Sequence, residues 1–368
     1  MLSKPLNRRG WIAVGIAATA SAAAVLAFVP DVQQWLFDRG AEKMTATDSS
    51  ALLADDAMRV LVCGTSAPLP SASRAKACIA VFAGGKFYVV DTGPESVENL
   101  MLGGIPMSAI GGVMLTHFHS DHIGDLGELQ LQTWAGGRQQ PLPVYGGPGV
   151  EQVVDGFNRA YAQDQVYRTE HHGETVMPSA AWGMTPKPVL LDGAPTPLKD
   201  RTRVFLDDGS LRVTAIEVDH SPIEPAYAYR FDYKGRSIVV SGDYKRHEPL
   251  ARAAAGADIL FSEALSREMT TSLERAAKKA ERPGTAAIMH DIQDYHVSPE
   301  EAAELANQAG VRELVYYHLA PAPDNPLMQR LFSQGVNPVR PDHWSIADDG
   351  NLYTLPLGSR TIEFGRLE

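Results

Sequence analysis

Four side chains of types that bind metal ions lie within six residues of this chain, directly after an apolar run. They are His117, His119, Asp121 and His122, and the run is 110–115. Such a run predicts a buried β-strand, and a loop that leaves a strand presents alternate side chains on one side. His117 and His119 can therefore share one ion, while Asp121 and His122 reach a second. Imidazole and carboxylate suit zinc and similar divalent ions, and two ions that close hold a shared hydroxide as a nucleophile.

This His-x-His-x-Asp-His motif resembles the signature of the metallo-β-lactamase superfamily of binuclear metallohydrolases. The resemblance implies an α/β sandwich layered as helix, sheet, sheet, helix. The order of predicted elements agrees with that fold, since the folded domain opens with strands, a helix and the strand that leads to the motif. The predicted strands are 58–63, 78–82 and 86–90, and the predicted helix is 96–102.

Further polar residues stand where other predicted strands stop, and we expect them to complete the site. A binuclear centre needs more nitrogen ligands and a carboxylate between the ions, and His220, Asp243 and His318 can supply them. The ligands of the first ion are predicted to be His117, His119, His220 and Asp243. The ligands of the second ion are predicted to be Asp121, His122, Asp243 and His318. Zn²⁺ is the expected metal, with Mn²⁺ or iron as alternatives.

Three segments narrow the resemblance to ribonuclease Z and its relatives, which include arylsulfatases and cyclic-nucleotide phosphodiesterases. They are the strand 314–318, the residues 296–298 that open a helix, and the pair 229–230. The match spans residues 58–321 and is poorest over 150–212. It implies that Asp121 positions the attacking hydroxide, that His296 passes a proton to the leaving oxygen, and that Glu263 orients His296. The alternative for His296 is a capping contact at the helix start.

The chain departs from ribonuclease Z in one respect, because it has no room for the long arm that grips transfer RNA. In the commoner form of that family the arm lies between the residues that match His220 and Asp243. Here a short hairpin fills that interval, and a variable insertion at 150–212 precedes His220 instead. We expect the insertion to be able to roof the pocket. Its polar residues are either substrate contacts or an exposed loop without a role: Asp164, Tyr167, Arg168, His171 and His172.

The N-terminus reads as a separate element, with residues 1–30 as a signal anchor or a cleaved signal peptide. Lys4, Arg8 and Arg9 precede an uncharged stretch over 11–29, which would be about 28 Å long as a helix. Residues 31–57 then form a juxtamembrane linker and residues 58–368 the hydrolase domain. The positive-inside rule predicts a membrane-anchored or exported protein whose domain lies on the periplasmic or extracytoplasmic side.

The two cysteines, Cys63 and Cys78, lie on consecutive predicted strands. Antiparallel neighbouring strands would bring them within disulfide reach, and outside the cytoplasm such a bond persists. The alternative is a pair of small core residues. The sequence leaves both interpretations open.

The chain has 368 residues, a net charge of −11 and no long basic run, which argues against a nucleic-acid partner. The predicted function is therefore hydrolysis of a small-molecule ester, a phosphodiester or an aryl sulfate, by a metal-bound hydroxide. Alternatives are a ribonuclease Z-like nuclease, a lactone, β-lactam or thioester hydrolase, and a non-catalytic metal-binding surface protein. The sequence leaves open whether the protein is a homodimer.

Overall fold

The computed structural model describes residues 29–367, which fall into a short N-terminal unit ending at Asp48 and a main unit beginning at Ser49. The N-terminal unit contains helix α1 (Pro30–Ala46), which has proline in its first turn. This helix occupies part of the stretch predicted as a linker. No helix within 29–367 is long and apolar enough to cross a membrane. The predicted anchor or signal peptide falls almost wholly on residues 1–28, outside the described part of the chain.

Fifteen strands lie within the described part of the main unit, residues 49–367. In chain order they are β1 (Ala57–Gly64), β2 (Cys78–Ala83), β3 (Lys86–Val90), β4 (Ile110–Met114), β5 (Leu142–Gly146), β6 (Met184–Pro188), β7 (Thr202–Asp207), β8 (Leu211–Glu217), β9 (Tyr227–Tyr233), β10 (Arg236–Val240), β11 (Ile259–Leu265), β12 (Glu313–Ala320), β13 (Trp344–Ile346), β14 (Asn351–Pro356) and β15 (Glu363–Arg366). The first sheet runs β15-β14-β1-β2-β3-β4-β5-β6 and the second β13-β12-β11-β10-β9-β8-β7.

Over the same described residues, ten α-helices accompany these strands, together with 3₁₀ turns at Ser50–Leu53, Met107–Ala109, Ser179–Ala181 and Ile292–Asp294. The α-helices are α2 (Ser96–Leu102), α3 (Ser120–Ile123), α4 (Leu126–Ala135), α5 (Val150–His172), α6 (Glu248–Ala253), α7 (Arg267–Lys279), α8 (Pro283–Asp291), α9 (Pro299–Ala309), α10 (Pro326–Phe332) and α11 (Val336–Val339).

Alternation along the strands produces three apolar layers. Val60 and Val62 of β1 join a cluster that also contains Ile238 and Val240 of β10, so this cluster fills the space between the sheets. Leu61, which lies between Val60 and Val62 in β1, faces the opposite way. It joins a cluster that also contains residues of the helices that follow β3 and β4. A third cluster packs α6 and α9 against the outer face of the second sheet. The period of two that places alternate side chains on opposite faces thus yields the predicted helix, sheet, sheet, helix order.

The signals that begin and end α9 are visible in the sequence and confirmed in the structure. The Ser298 hydroxyl accepts a hydrogen bond from the Glu301 amide, and the Glu301 carboxylate accepts one from the Ser298 amide. Proline fills the first helical position, and Gly310 ends the helix with a φ of 64°. These are the reciprocal N-terminal cap and left-handed C-terminal residue that stabilise helix ends. The cap at Ser298, two residues after His296, also fixes where α9 begins.

The C-terminal tail contradicts one sequence-based prediction. The alternation over 344–362 predicts a hairpin that turns at Asp349-Gly350, but the two strands belong to different sheets. Strand β13 pairs with β12 in the second sheet, and β14 pairs with β1 in the first. Asp349 is held away from a hairpin turn because its carboxylate accepts hydrogen bonds from Thr65, Ala75 and Asn99.

Cys63 and Cys78 form a disulfide, with 5.0 Å between their Cα atoms. They lie at the adjoining ends of the antiparallel strands β1 and β2. The bond closes the loop 64–77, which runs along the rim where the polar residues of the motif emerge. Arg74 reinforces this loop by donating hydrogen bonds to the Thr65 hydroxyl and the Ala347 carbonyl.

Candidate metal centre

The polar residues predicted for the site meet at one rim of the sandwich, where strands of both sheets end. The motif follows β4 of the first sheet, and His220 and Asp243 follow β8 and β10 of the second. Gly242 permits this approach, because its φ is 60° and a Cβ atom there would lie 2.7 Å from the Tyr227 carbonyl oxygen. Carboxyl ends of parallel strands collect ligand-binding residues in many open sheets.

A distortion of the second sheet places two further residues at this rim. The register of β11 against β12 shifts between Ser262 and Ala264, so Glu263 stands at an irregular position in the ladder. On the neighbouring strand, His318 has a φ of 44°, which is unusual for a residue other than glycine. Bulges and left-handed residues near functional sites re-aim side chains. Here they turn Glu263 and His318 toward the motif loop.

One group of four side chains could hold a metal ion: His117, His119, His220 and Asp243. The His117 Nε2 atom lies 2.9 Å from His119 Nδ1. The Nε2 atoms of His117 and His220 each lie 3.9 Å from Asp243 Oδ2. Three imidazoles and one carboxylate converging in this way form a donor set that suits a four-coordinate divalent ion.

A second group, Asp121, His122 and His318, adjoins the first. The Nε2 atoms of His122 and His318 are 3.1 Å apart, and His318 Nε2 lies 3.2 Å from Asp121 Oδ2. The other oxygen of Asp243, Oδ1, lies 3.4 Å from His122 Nε2 and 3.5 Å from His318 Nε2. Asp243 therefore presents one oxygen to each group, which is the geometry of a bridging carboxylate.

Hydrogen bonds outside the two groups fix the orientation of their imidazoles. The Nδ1 atom of His122 donates to the carboxylate of Asp91 at 2.8 Å, and His220 Nδ1 donates to the Tyr295 carbonyl at 2.8 Å. Asp91 is itself held by the amide and hydroxyl of Thr116. Such contacts direct the Nε2 atoms inward. The sequence analysis missed Asp91, although an aspartate that directly follows a buried strand is the signal that would have identified it.

A buried carboxylate–imidazole pair lies beside these groups. The Nδ1 atom of His296 lies 2.9 Å from both carboxylate oxygens of Glu263. Glu263 also accepts a hydrogen bond from the Tyr244 amide. This is the contact that the predicted orientation of His296 by Glu263 requires. His296 makes no side-chain cap to α9, which Ser298 caps instead.

Burial and neighbouring charges set the protonation of the site. Burial lowers the pKa of His117 well below its usual value and that of His220 to about 4, so both rings are neutral. Burial also opposes the charged form of His122, but the carboxylates of Asp243 and Asp91 outweigh it and raise its pKa. A neutral imidazole is the form that binds metal ions. The carboxylates around His122 show that this part of the site favours positive charge.

The side chains of the two groups fit metal ions, because some of their buried nitrogen and oxygen atoms have no hydrogen-bond partner among the described residues. His220 Nε2 and Asp243 Oδ1, which face the first and the second group, are buried without a hydrogen-bond partner among the described residues. Buried polar atoms are rarely left unpaired in proteins, because the lost hydration is not recovered. Four of the imidazoles also face one another as two close nitrogen–nitrogen pairs, His117 with His119 and His122 with His318. That these residues bind metal remains a prediction.

A cavity of about 290 Å³ covers both groups. The polar residues that line it are His119, Ser120, Asp121, Asp243, Tyr295 and His296. Within the described chain, no residue of the 150–212 insertion lines this cavity, so the predicted roof is wrong. The insertion forms α5, β6 and β7, with α5 reaching ten residues beyond the helical part predicted at 151–162. The candidate substrate contacts 164–172 lie on α5 away from the cavity, and Tyr167 is 61% exposed.

Comparison with known proteins yields a consistent set of relatives. A sequence profile described as the beta-lactamase superfamily domain matches residues 87–319. The ribonuclease Z of Mycobacterium bovis is 32% identical over 269 residues, which cover 72% of this chain and 87% of that protein. The ribonuclease Z of Mycolicibacterium gilvum is 33% identical over 267 residues, covering 72% of this chain and 85% of that protein.

Two solved structures share the fold. The short form of human tRNase Z aligns with a TM-score of 0.57 and 20% identity, covering 81% of this chain and 99% of that one. The metallo-beta-lactamase fold protein YhfI from Bacillus subtilis aligns with a TM-score of 0.56 and 23% identity, covering 81% of this chain and 100% of that one. At these identities the likeness concerns the architecture of the two sheets and their helices.

These relatives correct the predicted location of the protein. The curated relatives that match 72% of this chain are named ribonuclease Z, and neither name indicates a membrane-anchored or exported protein. The prediction of a membrane-anchored or exported domain is therefore wrong. It rested on the apolar stretch over 11–29 and on the basic residues Lys4, Arg8 and Arg9 before it.

Proposed function

The chain belongs to the metallo-β-lactamase superfamily, in its ribonuclease Z branch, and on that premise we propose that it is a metal-dependent phosphodiesterase. The observation that carries the proposal is the position of Asp243. Its two oxygens face two separate groups of buried donors, while the His296–Glu263 pair borders the same cavity. A phosphate group bound in that cavity would lie within reach of both the metal-binding groups and His296.

The proposed ligands of the two ions are those expected from the sequence, with Asp243 shared between them. Two divalent ions held there would supply Lewis-acid stabilisation of the phosphate oxygens and would lower the pKa of an attacking water. The protein residues would do the rest. Asp121 is proposed to orient the attacking water. His296, held by Glu263 through Nδ1, is proposed to give a proton from its other nitrogen to the departing oxygen. Zn²⁺ remains the proposed metal, because imidazole dominates the donor set.

Phosphodiesters are favoured over aryl sulfates because the curated relatives are named for cleavage of RNA, whose backbone bonds are phosphodiesters. The proposed substrate is a small phosphodiester. The connection between His220 and Asp243 holds only the hairpin β9–β10, so no extended arm for a large RNA projects from it. Cleavage of RNA is the second candidate function, and the names of the relatives favour it.

A panel of substrates tests the proposal. The full-length protein, loaded with zinc, would be assayed with a bis-aryl phosphate, an aryl sulfate, a cyclic nucleotide, a lactone, a β-lactam and a transfer RNA precursor. We expect turnover of the bis-aryl phosphate and little of the sulfate, lactone and lactam. Efficient trimming of the precursor RNA with no turnover of small diesters would replace the first candidate by the second. Absence of turnover throughout, with metal bound, would refute both.

A further inference from the structure

The cavity above the metal centre has a polar floor and apolar walls. Its floor is the set of polar residues already described, and most other side chains that line it are apolar. Lysine and arginine are absent from the described residues that line it. A protein that holds a nucleic acid contacts backbone phosphates with cations, in addition to whatever holds the reacting phosphate. The cavity offers none beyond the centre itself.

One wall comes from α8 and the turn that follows it. Ile288 stands at the mouth, 56% exposed, and Met289 beside it is buried. Ile292 continues this wall and packs against the small cluster of Ala67, Leu265 and Ala320 at the base. Four residues later the same segment reaches His296. The wall and the proposed proton donor are therefore parts of one continuous segment, so a group beside His296 must also lie beside this wall.

The opposite wall comes from the loop that the Cys63–Cys78 disulfide closes. Ala67, Pro68 and Leu69 of this loop line the cavity. Lys76 of this loop is not among the residues that line the cavity, and its ammonium donates to the Ser66 hydroxyl and the Leu69 carbonyl. Those contacts hold Leu69 in place. The loop therefore presents an apolar, fixed surface to whatever enters.

His296 indicates which part of the substrate occupies this space. Its Nδ1 atom is engaged by Glu263, which leaves Nε2 as the nitrogen available to a departing oxygen. The group attached to that oxygen must extend away from the floor, between Leu69 and Ile288. A cavity of about 290 Å³ that also receives the phosphate leaves room for one ring or a short branched chain.

We propose that the leaving group of the natural substrate is an uncharged, apolar alcohol or phenol of about the size of one aromatic ring, seated between Leu69 and Ile288. The inference rests on the proposed phosphodiesterase function. In the reaction a water oxygen forms the new bond to phosphorus and the bond from phosphorus to the apolar group's oxygen breaks. One proton of the water ends on the released alcohol, and the phosphate monoester is the other product.

Two matched phosphodiesters test this inference on the zinc-loaded protein: methyl phenyl phosphate and methyl 4-sulfophenyl phosphate. The sulfonated phenol is the more acidic and hence the better leaving group, whereas an apolar pocket rejects its charge. We expect kcat/KM to be about tenfold or more higher for the phenyl ester. An equal value, or a preference for the sulfonated ester, would overturn the inference.

The variant Ile288→Lys places a cation at the mouth and should shift the preference toward the sulfonated ester by about tenfold or more. Leu273→Lys, on the adjacent helix α7, is the matched control because Leu273 is 41% exposed and lies outside the cavity. The control should keep the wild-type preference. If both variants shift it alike, a general charge effect explains the result and the pocket assignment fails.

Binding without turnover separates this inference from the proposed function. Calorimetry would compare phenylphosphonate with methylphosphonate on the same zinc-loaded protein. We expect the phenyl compound to bind about tenfold or more tightly, and the ratio to fall toward one in Ile288→Lys. If neither phosphodiester is hydrolysed but this ratio holds, the proposed function fails while the apolar subsite stands. A ratio of one in the wild-type protein refutes the subsite whatever the protein hydrolyses.

Discussion

The Nδ1 atom of His296 lies 2.9 Å from each carboxylate oxygen of Glu263, a residue with no exposed surface. Burial raises the pKa of Glu263, and the facing imidazole opposes that rise. Burial likewise opposes the charged form of His296, but the Glu263 carboxylate outweighs it and raises the pKa of His296. The pair thus keeps a proton on His296 next to the cavity, as a general acid requires.

His296→Ala should lower kcat for a phenyl phosphodiester by about a hundredfold to ten-thousandfold, because the departing oxygen loses its proton source. The loss should be much smaller for a 4-nitrophenyl ester, whose leaving group needs no proton. Steady-state kinetics with both esters, and elemental analysis showing unchanged zinc, would check this. His290→Ala, at an exposed histidine of α8 whose ring lies 3.7 Å from Glu274, is the control and should behave as wild type. Equal losses with both esters would contradict a proton-transfer role.

Glu263→Gln should shift the alkaline limb of the pH profile of kcat/KM toward lower pH. The amide keeps the size of the side chain and can still accept from the Tyr244 amide, but it removes the charge that raises the pKa of His296. With a lower pKa, His296 loses its proton at a lower pH. It therefore stops acting as a general acid at a lower pH than in the wild-type protein. A variant whose limb stays in place while the rate falls uniformly would indicate a purely structural role for Glu263.

Asp243→Ala should abolish both metal binding and turnover, because each group of donors loses its shared carboxylate. Elemental analysis of the folded protein is the decisive measurement, with circular dichroism to show that the fold persists. Asp155→Ala, on the exposed face of α5, is the matched control and should keep metal and activity. Full turnover of Asp243→Ala with several esters would show that this carboxylate does not bridge the ions.

Asp91→Asn should weaken metal binding by about tenfold to a hundredfold without removing a proposed ligand. The Asp91 carboxylate accepts from His122 Nδ1 at 2.8 Å and so directs Nε2 toward the second group. An amide in its place can present its nitrogen to the ring and favour the wrong tautomer. Competition with a chelator would measure the affinity. An unchanged affinity would mean that Thr116 and the packing of the ring suffice to hold His122.

Asp258→Asn, remote from the site, should lower the free energy of unfolding by about 3 kcal/mol, because it leaves the buried Arg236 guanidinium without its charged partner. Burial opposes ionisation of Asp258, but its hydrogen bonds with Arg236, Ser237 and Arg312 outweigh it and lower its pKa. A lowered folded pKa stabilises the protein above the unfolded pKa of about 3.9, and the effect is lost as pH falls through the folded pKa. Urea titrations should therefore show the two proteins converging in strong acid but not at pH 7.

The sequence predicts the ligand-bearing strands well because each is a short apolar run that ends in one polar side chain. Strand β10 with Asp243, and β12 with His318, are examples, since both are buried on both faces and show no competing pattern. The helices α7 and α8 went unpredicted, although α8 supplies one wall of the cavity. Helix α8 has a weak amphipathic pattern, since Ile288 faces solvent at the mouth, so periodicity gives little signal there. Helix α7 is amphipathic, and its pattern is a signal that the prediction did not use. Strands β13 and β14 pair with different sheets because of tertiary contacts. The local alternation of apolar and polar residues cannot predict which strand each will pair with.

The rim at which the two sheets meet has a consequence for how the protein acquires its metal. The first sheet carries the motif and the second carries His220, Asp243 and His318, with 196 residues separating His122 from His318 along the chain. No fragment of the chain that stops short of His318 contains all the proposed ligands of both ions, so an unfinished molecule has little means of capturing two ions. Once bound, the ions would link one sheet to the other. Removing them with a chelator should therefore speed amide hydrogen exchange first at this rim.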